Sequence, residues 1–178
     1  MKSLCVGCGM CCDGTMYKSV DVEVGDQLPL LEAEGIALYT EEKFTFFRQP
    51  CTAFDTDRCK IYESRPTVCR EYRCLLLRRL DAGEANPADA VALVARTTAL
   101  RDRVRSGLMA FLETAERVPL GELYRRMLSK LDAASDPEAA RREASELLFD
   151  VVALRVILAR EFEPRDASSH TADVLTEP

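Results

Sequence analysis

A chain of 178 residues suits one domain, or a small one with an appendage, and an apolar fraction of 47% beside 30% charged residues excludes a disordered chain. The formal net charge of -6 argues against nucleic-acid binding, where Lys and Arg must neutralise phosphates. The opening MKSLCVGCGM carries no apolar leader, and no run of about 18 apolar residues occurs; together these predict a cytoplasmic protein with no membrane anchor.

Eight cysteines stand at Cys5, Cys8, Cys11, Cys12, Cys51, Cys59, Cys69 and Cys74, and none lies beyond. After the first four, YKSVDVEVGD alternates Val20, Val22 and Val24 with acidic residues, the pattern of a short half-buried strand. DQLPLLEAEG predicts a short helix ending at Gly35, KFTFFRQPC a strand delivering Cys51, and FDTDRCKIY a turn between two short strands. RPTVCREYRCLLLRRLDAG reads as a helix with Pro66 in its first turn, Arg78 and Arg79 in its last, and Gly83 as its stop.

Three amphipathic helices follow. The first opens with Asn86 as cap and Pro87 at the first helical position, carries Val91, Val94, Thr98, Val104, Leu108 and Phe111 on one face, and is interrupted by Pro119. The second aligns Leu120, Leu123, Tyr124, Met127, Leu128 and Leu131. The third is capped by Asp136, starts at Pro137 and runs through Leu147, Leu148, Val151, Leu154 and Leu158 to Phe162, with Pro164 ending it. The expected fold class is α+β, mainly α. A small irregular cysteine-rich metal-binding region with short strands (1–83) packs on a C-terminal antiparallel helical bundle (84–163), and a mobile tail (164–178) follows. The sole histidine, His170, lies in that tail and is assigned no ligand role.

A dense cysteine pattern in a cytosolic protein signals metal binding or catalysis, whereas disulfides persist in oxidising compartments; a disulfide scaffold is therefore the lesser alternative. Thiolates bind zinc or iron, and cysteines two residues apart reach one metal because the backbone between them can turn around it. Cys5, Cys8 and Cys11 repeat that step with Gly7 and Gly9 between them, the first three ligands of a bacterial ferredoxin run, but Thr15 stands where the fourth ligand belongs. Adjacent side chains in an extended segment point to opposite sides, so Cys11 and Cys12 do not readily share a mononuclear site. On a regular helix Cys69 and Cys74 are roughly 140° apart, at about 100° per residue, so either the helix begins late or the two serve different sites. Eight thiols divide naturally into two sets of four, as two centres, or form one polynuclear centre. Such a site is anionic, and Arg65, Arg70 and Arg73, interleaved with Cys69 and Cys74, are candidates to offset its charge, with Tyr62 and Tyr72 as screens against water.

The motifs CVGCGMCC and CTAF…RCKIYESRPTVCREYRC resemble the YkgJ-like CxxCxxCC cysteine-cluster family of zinc- or iron-chelating domains, with counterparts for all eight cysteines across about residues 4–75. The resemblance implies a metal-binding protein whose cofactor is zinc or an iron-sulfur cluster. Ferredoxin-like spacing leans toward [4Fe-4S], and division into two fours leans toward structural zinc. Some larger relatives resemble flagellin lysine methylases, but this chain has no glycine-rich nucleotide loop and no Ser/His/Asp set. Two alternatives to simple metal binding are thus an iron-sulfur oxidoreductase or methylase-like enzyme, and a zinc-stabilised module whose helices meet a protein partner.

Overall fold

A computed structural model describes residues 2–56 and 58–164; the expected tail beyond Pro164 and His170 lie outside the described residues. The architecture is α+β and mainly α, with short strands early and helices after them. A single turn, α1 (Lys2–Cys5), leads into the cysteine loop, and then come β1 (Ser19–Val22), α2 (Leu28–Ala33), β2 (Leu38–Glu41) and β3 (Phe44–Arg48). These strands form an antiparallel sheet in the order β1-β3-β2, with Val20 opposite Phe47 and Leu38 also opposite Phe47. Val20 and Phe47 are buried by the pleat, as the alternation predicts, but Val24 lies past the strand end and is fully exposed. The strand β2 is an addition to the expected set: LYTE alternates too briefly to be read alone, and its pairing with β3 makes it. A hairpin of β4 (Phe54–Asp55) and β5 (Arg58–Cys59) occupies the expected turn.

The segment expected as one helix from Pro66 to Gly83 is two, α3 (Thr67–Glu71) and α4 (Leu75–Asp81). Tyr72 and Cys74 adopt extended backbone between them. The carbonyls released by the break are satisfied by side chains: Arg73 Nη1 donates to the Arg70 and Tyr72 carbonyls at 2.9 and 3.0 Å, and Arg78 Nε to that of Arg73 at 3.0 Å.

Of the long helices, α5 (Pro87–Leu112) starts on the expected cap, with Asn86 Oδ1 accepting from the Ala88 N–H at 2.8 Å. It ends short of Pro119 because Glu113 turns left-handed, and the Thr114 N–H closes on the Met109 carbonyl at 3.0 Å. Its buried face is Ala90, Val94, Thr97, Val104 and Leu108, a rotation that leaves Val91 exposed; buried Thr97 hands its hydroxyl back to the Leu93 carbonyl at 2.8 Å. The helix α6 (Leu120–Asp132) buries its expected stripe except half-buried Leu128. The third expected helix is divided at Ala144 into α7 (Pro137–Glu143), capped by Asp136, and α8 (Ser145–Glu161). Gly107 lets α8 come close, since a Cβ there would lie 2.7 Å from Leu147 Cδ1. Among the described residues no helix is long and apolar enough to cross a membrane.

Among the described residues two apolar cores result. The larger joins Val104, Leu108, Leu123, Met127, Val151 and Leu154 of the helices to Met10, Met16, Tyr17 and Leu76 from the cysteine-bearing part. The smaller lies between the sheet, α2 and the hairpin, around Val20, Leu31, Ile36, Phe47 and Ala53. Leu154 has no exposed surface, so Leu154→Ala should lower the unfolding free energy by about 2–5 kcal/mol in urea titration.

Across α5 and α8, Arg103 grips Asp150 with Nε–Oδ2 at 2.6 Å and Nη2–Oδ1 at 2.8 Å. The guanidinium holds the Asp150 carboxyl below its usual range. A depressed folded-state pKa stabilises above the unfolded value, about 3.9, and that stabilisation is lost as pH falls through the folded value. Asp150→Asn should therefore lower the urea midpoint slightly at pH 7, with the gap from wild type closing by about pH 2; a gap that persists in acid would assign the effect to packing.

Candidate metal centre

The cysteine loop is a chain of tight turns. Gly7, Gly9 and Gly14 all have positive φ, and the Cys12 and Asp13 N–H groups both close on the Gly9 carbonyl at 2.7 and 3.0 Å. Gly9 is doubly constrained, because a Cβ at its position would lie 2.2 Å from Phe54 Cζ, whereas at Gly7 nothing stands within 4 Å. The loop is fastened on one side by α5: Arg101 Nη1 donates to the Cys8 carbonyl at 2.9 Å and pairs with Asp13 at 2.9 Å, and Arg105 Nη2 donates to the Asp13 carbonyl at 2.8 Å. On the other side the Cys51 N–H donates to the Cys12 carbonyl at 2.8 Å, just past the end of β3.

This folding brings every cysteine to one place. All eight line a single cavity of about 480 Å³ whose apolar wall includes Met10, Leu76, Val94 and Phe162. None is in a disulfide; Cys51 is buried, Cys5 is exposed and the other six are half-buried. A larger groove of about 940 Å³, between the sheet and the start of α6, has no cysteine in its walls.

Burial raises all eight thiols, Cys8 to about 11 and Cys69 to about 12. Against that desolvation, backbone N–H groups just downstream lower four of them: Met10 acts on Cys8, Ala53 on Cys51, Ile61 on Cys59, and Leu77 ahead of Leu76 on Cys74. A sulfur that receives such an N–H carries negative charge more readily, as a metal thiolate must. Among the described residues no three Cys, His, Asp or Glu side chains are already drawn tightly enough to grip an ion as they stand. The donor set nonetheless fits zinc or iron, which take sulfur ligands, and a bound metal must displace the protons that burial holds on these thiols.

The expected cations are distributed unequally. Arg65 lowers Cys5, Cys59 and Cys69, lies over the Tyr62 ring at 3.7 Å from its centroid, and lines the cavity. Arg73 lowers Cys5 and also lines the cavity, while Arg70 donates to Thr67 Oγ1 at 3.0 Å and is absent from the cavity wall. Sequence reasoning missed Arg101, which lowers Cys8 from 93 positions away and leaves no local signal. It also missed Tyr17, whose hydroxyl donates to that of Tyr72 at 2.5 Å beside Cys11 and Cys74. Thr15, in the place of a fourth ferredoxin ligand, is fully buried and outside the cavity wall.

Residues 4–90 match a family model named CxxCxxCC and described as "Putative zinc- or iron-chelating domain". The match spans all eight cysteines and is consistent with metal binding by this CxxCxxCC domain. No curated protein and no solved structure matches the chain.

Gly9→Ala and Gly7→Ala separate backbone strain from the Phe54 contact. Each pays about 1–2 kcal/mol for a left-handed Cβ, but only Gly9→Ala also displaces the Phe54 ring. Its thermal midpoint should fall well below that of Gly7→Ala; equal midpoints would show that the ring yields freely.

Proposed function

We propose that the chain is a metal-binding protein whose eight cysteines together hold zinc or iron-sulfur in their shared cavity. The observation that carries this reading is that eight unlinked thiols, drawn from six separate stretches of chain structure, converge on one cavity. Zinc would cross-link these segments and supply folding energy, while an iron-sulfur centre would in addition carry electrons. Arg65, Arg73 and Arg101 would offset the negative charge that thiolates bring, as would the N–H groups of Met10, Ala53, Ile61 and Leu77.

Protein purified anaerobically without a metal-affinity column should contain zinc, or iron with matching acid-labile sulfide, and should lose it when the thiols are alkylated under denaturing conditions. Zinc without sulfide assigns the centre a structural role, and iron with sulfide assigns it redox or sensing chemistry. Protein that holds neither, and takes up neither on anaerobic reconstitution, would overturn the reading.

A further inference from the structure

The cavity is shared, but its thiols are not evenly mixed. Of the two apolar cores, the helical one packs against Cys8, Cys11 and Cys74 and the sheet one against Cys51, Cys59 and Cys69. Cys5 closes α1 one turn before Cys8, and its carbonyl accepts the Cys8 N–H at 3.2 Å. Cys12 is tied across to Cys51 by the N–H donation already described. The division falls at a single peptide bond, with Cys11 on the helical side and Cys12 on the sheet side.

Electrostatic neighbours divide in the same way. The thiols acting on Cys11 are Cys8, Cys74 and Cys5 besides adjacent Cys12, and those acting on Cys12 are Cys69, Cys51 and Cys59. Cys74 and Cys5 act on Cys8, and Cys51 and Cys59 act on Cys69. The extended break at Tyr72–Cys74 is what separates Cys69, on α3, from Cys74, at the head of α4.

We infer that the domain holds two neighbouring four-thiolate centres, one on Cys5, Cys8, Cys11 and Cys74 and the other on Cys12, Cys51, Cys59 and Cys69. This assignment rests on the metal-binding reading above. Each set draws ligands from distant segments, the first joining the N-terminal loop to α4 and the second joining that loop to the sheet, the hairpin and α3. Four thiolates complete a tetrahedral site and also satisfy the four corners of an iron-sulfur cube, so the division holds for either cofactor.

The test compares paired substitutions in the full chain, loaded anaerobically with the metal found in wild type. Cys8→Ser with Cys74→Ser removes two ligands of one centre and should leave half the wild-type metal. Cys51→Ser with Cys69→Ser should likewise leave half. The crossed pair, Cys8→Ser with Cys51→Ser, should leave almost none. If same-set and crossed pairs lose metal alike, the eight thiols form one centre, and the division is wrong while metal binding stands; wild type that binds no metal would instead remove the reading beneath it. Since a doubly substituted chain can fail to fold, wild type stripped of metal is also titrated with Co²⁺. Intense thiolate-to-cobalt absorption rising linearly to about two equivalents, with the d–d bands of tetrahedral four-sulfur sites, supports the division, and saturation at one equivalent overturns it.

Discussion

The guanidinium groups of Arg101 and Arg105 reach from α5 to take the carbonyls of Cys8 and Asp13, and Arg101 also meets the Asp13 carboxylate. A loop of glycines and cysteines has no ladder of its own, so its backbone groups must find partners elsewhere. Charged donors make the strongest such bonds, about 1.5–3 kcal/mol each, and these lie largely out of water, with Arg101 13% exposed and Asp13 17%. Held in this way, the loop sinks Met10, Met16 and Tyr17 into the helical core. The Leu120 N–H completes the attachment by donating to the Gly14 carbonyl at 2.8 Å, where a Cβ on Gly14 would lie 2.9 Å from Pro119 Cα.

The same loop is the seam between two cores that differ in construction. On the helical side large aliphatic side chains from α5, α6 and α8 bury one another, and the core is deep enough to stand on packing. On the sheet side a short three-stranded sheet, one short helix and a two-residue-per-strand hairpin enclose a small core. Elements this short bury too little to hold themselves, and thiolate cross-links are the kind of staple small cores recruit. The Phe54 ring over Gly9 and the Cys51 N–H on the Cys12 carbonyl bring the two sides into register. Arg65, which acts on thiols from both sides of the seam, spreads one positive charge across it.

Local chemistry announced much of the helical architecture. Asn86 and Asp136 cap where their side chains allow, Gly83 and Gly35 follow helix ends in the left-handed conformation, and the leucine stripe of α6 lies inward because its period matches the helix. The interruptions were hidden because their causes are not local propensities. Arg73 and Arg78 replace helical partners at the α3–α4 break, and Glu113 accepts a left-handed backbone that ends α5 before Pro119 can act. The face of α5 was misread by about one position in its first turns, since Ala90 and Thr97 are inward although neither carries a strong apolar signal.

For the candidate site, the cysteine spacing and the glycines between Cys5 and Cys11 determined by themselves that this stretch is a tightly turning run of soft-metal donors, because ligand chemistry and tight turning are properties of the residues and their order. That Cys11 and Cys12 look apart, and Cys69 and Cys74 with them, also followed from backbone geometry alone. Which distant thiols each one meets was decided only by the tertiary structure. The clamp of Arg101 on the Cys8 carbonyl, the break before Cys74 and the sheet that carries Cys51 toward Cys12 are contacts between segments far apart in sequence, and no local pattern encodes the partner of a side chain that must cross the fold to find it.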